Sequence, residues 1–306
     1  MTSIDHEPAT SASPADQEAM RKPLDHEIDV FGLTHQGKVR KTNQDNFLVA
    51  TLHRRVDVKF SSLAEPVDHI SGEERLAFIM MVADGVGGTE HGEAASRLAV
   101  ESVSQYVTEA VRCYYGSGAA GGNAESDFTS ILEQAARQCH ESVCRHAEEQ
   151  TIRSMATTLT LFLGMWPWIY ILQVGDSRLY RLRNGELAQV TRDQTMAQEL
   201  LDLGVMAPNE ASRSRLSHVL SSAIGGQSSM PIVTRIAAEW HNVHLLCSDG
   251  LTRHVTDDRI REVLSTMTSA KQACETLLQE ALDGGGSDNI TIVIGRAVPA
   301  TETAAT

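Results

Sequence analysis

The chain has 306 residues, room for one large domain or two small ones, and it can bury a core without a disulfide or a metal. Its composition, 42% hydrophobic and 22% charged, excludes collagen-like, coiled-coil and wholly disordered chains. Acidic residues exceed basic ones by 40 to 26, and the formal net charge of −14 argues against a broad surface for nucleic acid or anionic membrane.

The cysteines and the N-terminus predict a cytoplasmic protein. The five cysteines are odd in number and include no CxxC pair, so neither a disulfide framework nor a zinc ribbon is indicated. The N-terminal segment is polar and acidic, without the basic start and apolar core of a signal peptide. A reducing compartment fits these features best.

Both flanks are rich in small and polar residues and have no apolar period. This predicts a disordered tail over 1–27, an ordered domain over 28–298 and a second disordered tail over 299–306.

Within the domain, apolar and alternating runs predict strands in this order: 28–35, 46–52, 76–84, 157–164, 168–175, 178–182, 186–190, 243–248 and 289–296. Apolar residues at helical spacing predict helices from Glu93 to Val111, from Phe128 to Val143 and from Ala270 to Ala281. The Gly-rich segment 116–127 is predicted to join the first two helices as a flexible loop.

One apolar stretch, 155–174, is long enough to span a bilayer. Its β-branched and aromatic residues, and the break at Trp166-Pro167, favour two buried strands joined by a turn. We therefore expect no membrane segment.

The order of the elements predicts an α+β fold. Strands in direct succession, with Asn184-Gly185 as a strong hairpin signal, require antiparallel pairing. Blocks of strands and blocks of helices, rather than strict alternation, favour sheets that pack on each other with helices outside.

Five aspartates lie at the ends of predicted strands: Asp45, Asp84, Asp176, Asp249 and Asp288. Antiparallel neighbours share an edge, so all five can converge there. Any one of them, taken alone, is more often a turn or capping residue. Converged carboxylates repel each other and stay ionised only around a cation, and oxygen-only ligation suits Mg²⁺ or Mn²⁺. Such a two-ion centre activates water and holds a phosphoryl group for in-line attack.

The segment after Asp84 combines a glycine-rich turn with a predicted helix. It departs from the dinucleotide-binding pattern GxGxxG because Glu90 replaces the third glycine. The glycines more plausibly let the backbone approach a metal, with the Gly85 carbonyl as a ligand. Arg40 could pair with a bound phosphate, although without its motif it is more simply an exposed residue.

Six blocks in register resemble the metal-dependent protein phosphatase family, also called type 2C protein phosphatases, in its bacterial form. They are GKVRKTNQDN (37–46), VADGVGGTEHGEAAS (82–96), MATTLTLFL (155–163), LQVGDSRLYRLRNGEL (172–187), LLCSDGL (245–251) and GGSDNITIVI (285–294). The resemblance implies a four-layer α-β-β-α sandwich of two antiparallel sheets flanked by helices, with a flap subdomain at about 193–230.

The resemblance also implies the site. Two Mn²⁺ or Mg²⁺ ions would be held by Asp84, the Gly85 carbonyl, Asp249 and Asp288. Asp45 would support one ion through water, Asp176 would bind a third, weaker ion, and Arg40 would bind the phosphate. A water that bridges the ions would hydrolyse phosphoserine or phosphothreonine and so reverse a bacterial Ser/Thr kinase.

Three positions depart from the family pattern. Val86 stands where many eukaryotic members have a His, Gln44 replaces a frequent Glu, and Arg253 replaces an Asp that many relatives have, which weakens the third-ion site. These departures motivate an alternative hypothesis, a catalytically silent regulator that binds phosphoproteins or a kinase.

The expected partners follow from the resemblance. They are phosphorylated Ser/Thr proteins, a cognate Ser/Thr kinase and, because SDGLTRHV (248–255) is similar to members encoded with type VI secretion systems, regulators of such a system. We expect a monomer that binds neither nucleic acid nor membrane.

Overall fold

A computed structural model describes residues 21–56, 60, 72–86, 90–116, 124–211 and 213–299. In these residues, two antiparallel sheets pack face to face. The first sheet contains β1 (Ile28–His35), β11 (Ile290–Ala297), β10 (Val243–Cys247), β7 (Arg178–Arg183) and β8 (Glu186–Gln189), in that spatial order. The second sheet contains β2 (Asp45–Val56), β3 (Gly72–Val86), β5 (Leu159–Met165), β6 (Trp168–Val174) and β9 (Ile232–Ala237), with the short β4 (Ala156–Thr157) paired to the end of β3.

Helices form the two outer layers. Against the second sheet pack α1 (Glu90–Gly116) and α2 (Ala124–Glu149), and against the first sheet pack α6 (Asp257–Thr266) and α7 (Ala270–Asp283). The shorter helices are α3 (Met196–Asp202), α4 (Pro208–Ala211) and α5 (Asp249–Thr252).

Side-chain alternation along β3 shows how the layers form. Ile79 and Met81 are buried against the helices, whereas Met80 and Val82 are buried against the other sheet. A strand with a period of two therefore contributes to both cores. The predicted α-β-β-α sandwich is confirmed.

The apolar stretch 155–174 forms the antiparallel hairpin of β5 and β6, as predicted. Among the described residues, no helix is both long and apolar enough to cross a membrane. The hairpin of β7 and β8 turns at Asn184 and Gly185, whose φ angles of 51° and 79° are those a tight turn requires.

Several elements were not predicted, among them β9 and α6. In β9, an edge strand, Thr234 and Arg235 interrupt a weak apolar run. In α6, only Ile260, Val263 and Leu264 are buried, although their spacing is helical and the Thr256 side chain caps the helix.

Residues 21–27, which the sequence assigned to the N-terminal tail, contact the rest of the described structure. The Glu27 carboxylate is buried and accepts from the Arg21 guanidinium at 2.6 Å, and the Arg21 carbonyl accepts from the indole of Trp240 at 3.1 Å. The rest of the predicted tails, 1–20 and 300–306, lies outside the described residues, as do residues 117–123 of the predicted loop. That loop is shorter than expected, because α2 begins at Ala124.

Candidate metal centre

Strand ends bring aspartates to one end of the sandwich. Asp45, at the start of β2, is the direct cross-strand partner of Asp84, near the end of β3. Asp249 follows β10 as the first residue of α5, and Asp288 lies just before β11. Asp176 lies in the connection from β6 to β7.

The carboxyl of Asp84 is buried close to the other four aspartates. Burial is the largest cause that raises the pKa of its carboxyl well above the usual value. The negative charges of Asp45, Asp249, Asp176 and Asp288 raise it further. The fold therefore brings the five predicted aspartates together.

A cavity of about 140 Å³ opens among these groups. Its wall is formed by Arg40, Gln44, Asp84, Gly85, Val86, Thr158, Asp176, His218, Leu220, Asp249, Arg253, Asp288 and Asn289. His218 and Leu220 come from the predicted flap, so this segment forms one side of the site.

Asp45 lies behind the cavity wall rather than in it. Its Oδ2 accepts hydrogen bonds from the hydroxyls of Ser248 and Thr291, both at 2.7 Å. Burial raises the pKa of this carboxyl to about 6, against the effect of the two hydroxyls. Its Oδ1 is buried and has no hydrogen-bond partner among the described residues.

Gly85 is required by the close approach of two backbone segments. A β-carbon at this position would lie 2.3 Å from the carbonyl oxygen of Gly92 and 2.8 Å from that of Gln44. The Gly85 amide donates to the same Gln44 carbonyl at 3.2 Å. No larger residue fits here without moving α1 or the start of β2.

The loop that carries Arg40 is held by Asn289, a buried residue that sequence reasoning did not single out. Asn289 Nδ2 donates to the carbonyls of Gln36 and Thr42, both at 2.9 Å, and its Oδ1 accepts from the amide of Gln44 at 2.9 Å. Arg40 Nη2 donates to Asp288 Oδ2 at 2.7 Å. This hydrogen bond is the main cause that raises the pKa of Arg40.

Arg253 enters the same site. Its Nε donates to Asp249 Oδ2 at 2.9 Å, and its Nη1 lies 3.0 Å from Asp288 Oδ2. The sequence marked this residue only as a departure from a family pattern. Its spacing of four residues from Asp249, across the short α5, was the available signal.

Comparison with known proteins identifies the family. A family model described as protein phosphatase 2C matches residues 68–284. This chain belongs to the protein phosphatase 2C family. The serine/threonine protein phosphatase PstP of Mycobacterium tuberculosis (strain ATCC 25618 / H37Rv) is 34% identical over 223 residues, which are 72% of this chain and 41% of PstP. The chain therefore spans about two fifths of that relative's length.

Solved structures share the fold of this chain. The catalytic domain of PstP in complex with two manganese ions is 28% identical, with a TM-score of 0.67 over 89% of this chain and 99% of that one. PppA, described as a key regulatory component of the T6SS in Pseudomonas aeruginosa, is 26% identical, with a TM-score of 0.64 over 88% of this chain and 97% of that one.

The protein phosphatase 2C site of this chain fits a hard divalent cation. Its donors are carboxylate and carbonyl oxygens, and Oδ1 of Asp45 and of Asp249 are both buried without a hydrogen-bond partner in the described part of the chain. As the side chains stand, no three acidic, His or Cys groups of the described residues enclose an ion. Asp249 and Asp288 instead direct oxygens towards guanidinium groups, which a cation would have to displace.

Proposed function

We propose that this protein phosphatase 2C member is a metal-dependent protein phosphatase that hydrolyses phosphoserine and phosphothreonine. The observation that carries the proposal is one cavity lined by Asp84, Asp249 and Asp288 together with Arg40. The names of PstP and of other relatives, which are serine/threonine phosphatases, support it.

In this proposal, Asp84, the Gly85 carbonyl, Asp249 and Asp288 hold two ions, Mn²⁺ or Mg²⁺. The two manganese ions of the PstP structure support this number. When bound, the ions supply a water of lowered pKa and neutralise charge on the phosphoryl group. Asp45 would support one ion through a water, since Ser248 and Thr291 fix only its Oδ2 and leave Oδ1 without a partner in the described residues.

Arg40 binds the phosphoryl group of the substrate. A guanidinium can donate two parallel hydrogen bonds to phosphate oxygens, and the Asn289 contacts keep the loop of Arg40 at the mouth of the cavity. Val86, in the cavity wall, has no proton to give. The proton for the leaving alkoxide of serine or threonine would therefore come from water or from another residue of the cavity wall.

The guanidinium of Arg253 disfavours binding of a third ion at Asp176. Burial raises the pKa of Asp176 to about 8, the charges of Asp249 and Asp193 raise it further, and the nearby Arg253 lowers it. A third ion would have to share this space with the guanidinium. We therefore propose that two ions suffice and that Asp176 binds a further ion only when Arg253 moves away.

We propose phosphorylated Ser/Thr proteins, including a cognate kinase, as the substrates of a cytoplasmic monomer. All five cysteines are described and free, which supports a reducing compartment. The likeness to PppA supports a link with a type VI secretion system.

The test is hydrolysis of p-nitrophenyl phosphate and of a phosphothreonine peptide, with Mn²⁺ and with EDTA. We expect EDTA and Asp249→Asn each to abolish turnover, whereas Asp258→Asn, at an exposed position on α6, leaves it unchanged. Turnover that persists in EDTA would contradict the metal mechanism. Binding of the peptide at saturating Mn²⁺ without turnover would instead establish a silent regulator.

A further inference from the structure

Two arginines reach one oxygen atom in the cavity of the candidate metal centre. Arg40 Nη2 donates to Oδ2 of Asp288 at 2.7 Å, and Arg253 Nη1 lies 3.0 Å from the same oxygen. The two nitrogens are therefore no farther apart than the sum of these distances. A guanidinium pairs with carboxylate and with phosphate in the same planar geometry. The point that this carboxylate oxygen occupies is thus one at which both arginines can hold a single anion.

Both arginines are accessible from solvent, whereas the carboxylates that they contact are mostly covered. The side chains of Arg40 and Arg253 are 42% and 28% exposed, compared with 12% for Asp288 and 16% for Asp249. Arg40 and Arg253 line the cavity of about 140 Å³, and Arg253 also lines an adjoining cavity of about 680 Å³ that Asp288 does not reach. Arg253 therefore lies where the two cavities join, at a place open to a substrate.

The partners of Arg253 distinguish it from Arg178, the other arginine in the wall of the larger cavity. Arg178 donates to both carboxylate oxygens of Asp193, which is not among the proposed metal ligands. Arg253 contacts Asp249 and Asp288, which are. Metal binding would therefore deprive Arg253 of its acceptors, whereas Arg178 would keep its own. Donors without an acceptor are unfavourable in a partly buried site, and a phosphoryl group supplies new acceptor oxygens.

The charge of the site also favours a second arginine. Five aspartates approach one another here, and when all are ionised, two divalent ions and Arg40 do no more than balance them. A phosphomonoester carries a charge of about −1.5 to −2 at pH 7. With the charge of Arg253 added, the metal-bound site is net positive before such an anion enters it.

We propose that Arg253 is a second phosphate-binding residue, which joins Arg40 on the phosphoryl group of a dianionic phosphomonoester once ions occupy Asp249 and Asp288. This inference rests on the proposed function, because the phosphoryl group is that of its substrate. Both guanidinium groups donate hydrogen bonds to phosphate oxygens and remain protonated. Arg253 then has two sets of acceptors, the carboxylates in the metal-free protein and the phosphoryl group in the metal-bound one.

Inorganic phosphate, the product of the proposed reaction, tests this contact without turnover. It would be titrated by calorimetry into the full-length protein at saturating Mn²⁺, with Mn²⁺ occupancy measured separately for each variant. We expect Arg253→Ala and Arg40→Ala each to weaken phosphate binding about 10- to 100-fold, the effect of losing charge-assisted hydrogen bonds. Arg261→Ala removes the same charge from an exposed position on α6 and should leave phosphate binding unchanged.

Two further variants separate phosphate binding from a purely structural role of Arg253. Arg253→Lys keeps the charge but loses the fork of donors, so it should recover part of the phosphate affinity. Arg253→Gln keeps much of the side chain without its charge and should bind phosphate as weakly as Arg253→Ala, which it replaces if melting shows that the alanine variant is unfolded. A residue that only held Asp249 and Asp288 together would alter stability in EDTA and leave phosphate affinity at full Mn²⁺ occupancy unchanged.

Two results would overturn the proposal: no saturable phosphate binding by the unchanged protein, or a folded, fully Mn²⁺-loaded Arg253 variant that binds phosphate as tightly as the unchanged protein. Turnover distinguishes this outcome from a failure of the proposed function. Phosphate binding that depends on Arg253, in a protein that hydrolyses neither p-nitrophenyl phosphate nor a phosphothreonine peptide, would contradict the proposed function alone. Normal turnover with phosphate affinity independent of Arg253 would contradict this inference alone.

Discussion

Arg40 and Arg253 both contact the same carboxylate oxygen, Oδ2 of Asp288: Arg40 donates a hydrogen bond to it at 2.7 Å, and Nη1 of Arg253 forms an ion pair with it at 3.0 Å. Arg253 also donates to Asp249. A divalent cation at these carboxylates would repel both guanidinium groups, since like charges at such distances interact unfavourably. Metal binding and the arginine contacts therefore compete for the same oxygens.

Replacing Arg253 by Ala should have opposite effects on the metal-free and metal-bound forms. In EDTA the carboxylates lose a counter-ion, so we expect a loss of about 1 kcal/mol in the free energy of unfolding. With the competitor gone, the affinity for Mn²⁺ should rise about 3- to 10-fold, measured by isothermal titration calorimetry. Arg261→Ala is the matched control, because within the described part of the chain Arg261 forms an ion pair only with the exposed Asp258, at 3.5 Å. Unchanged Mn²⁺ affinity in Arg253→Ala would refute the competition.

Replacing Arg40 should change KM and kcat/KM for the substrate more than it changes the affinity for metal. We expect Arg40→Ala to raise KM for a phosphothreonine peptide and to lower kcat/KM about 10- to 100-fold. Arg40→Lys should recover only part of the loss, because an ammonium cannot make the two parallel bonds of a guanidinium. Lys41→Ala, at the exposed neighbouring position, should behave like the unchanged protein. An unchanged KM in Arg40→Ala would exclude a phosphate contact.

Asp176 should destabilise the metal-free protein at high pH. Its pKa is raised from 3.8 to about 8, so the folded state holds a proton that the unfolded state releases between these values. Stability contributed by the protonated group is thus lost as the pH rises from about 4 to about 8. In EDTA, Asp176→Asn should therefore stabilise the protein by roughly 1–3 kcal/mol at pH 8 and hardly at all at pH 4. Denaturant unfolding at the two pH values measures this, and an equal gain at both would be the contrary result.

Asn289 should act as a positioning residue for Arg40. Asn289→Ala leaves two carbonyls and one amide of the 36–44 segment without their partner. We expect a loss of about 2–3 kcal/mol in unfolding free energy and a higher KM. Mn²⁺ affinity, read by calorimetry on the folded variant, should change little; a loss of metal binding with KM unaltered would argue against this role.

His244 should make the fold sensitive to acid. Its pKa is lowered from 6.5 to about 3, so the unfolded state binds a proton that the folded state refuses in this interval. Stability is then fully present above about pH 6.5 and falls as the pH decreases towards 3. His244→Phe should flatten this part of the stability curve, which denaturant unfolding at pH 7 and at pH 4.5 would measure. Equal slopes for the two proteins would show that His244 already titrates normally.

Much of the fold was predictable because its signals are local. The alternation in 76–84, the hairpin at Asn184-Gly185 and the helical spacing after Glu93 each depend on a few neighbouring residues. Where a local signal was weak, as in the edge strand β9 or in α6 with its three buried residues, the element was missed.

The candidate site, like the fold, was predictable only where its signals are local. The residue types at the strand ends, Asp84, Asp249 and Asp288, indicate a hard cation without any structure. The sequence could not show that Asn289 forms hydrogen bonds with the loop of Arg40, whose residues lie 245 to 253 positions away in the chain. Nor could it show that Ser248 donates to Asp45, which lies 203 positions away.

The sequence by itself thus determined most of the strands, their antiparallel pairing and the chemical class of the ligands, because the side-chain period and the turn residues are properties of adjacent positions. Only the tertiary structure decided that Arg253 competes at Asp288 and that His244 is buried beside Phe162. Those relationships depend on the register between strands and on distances of a few ångströms between residues far apart in the chain, which no local pattern encodes.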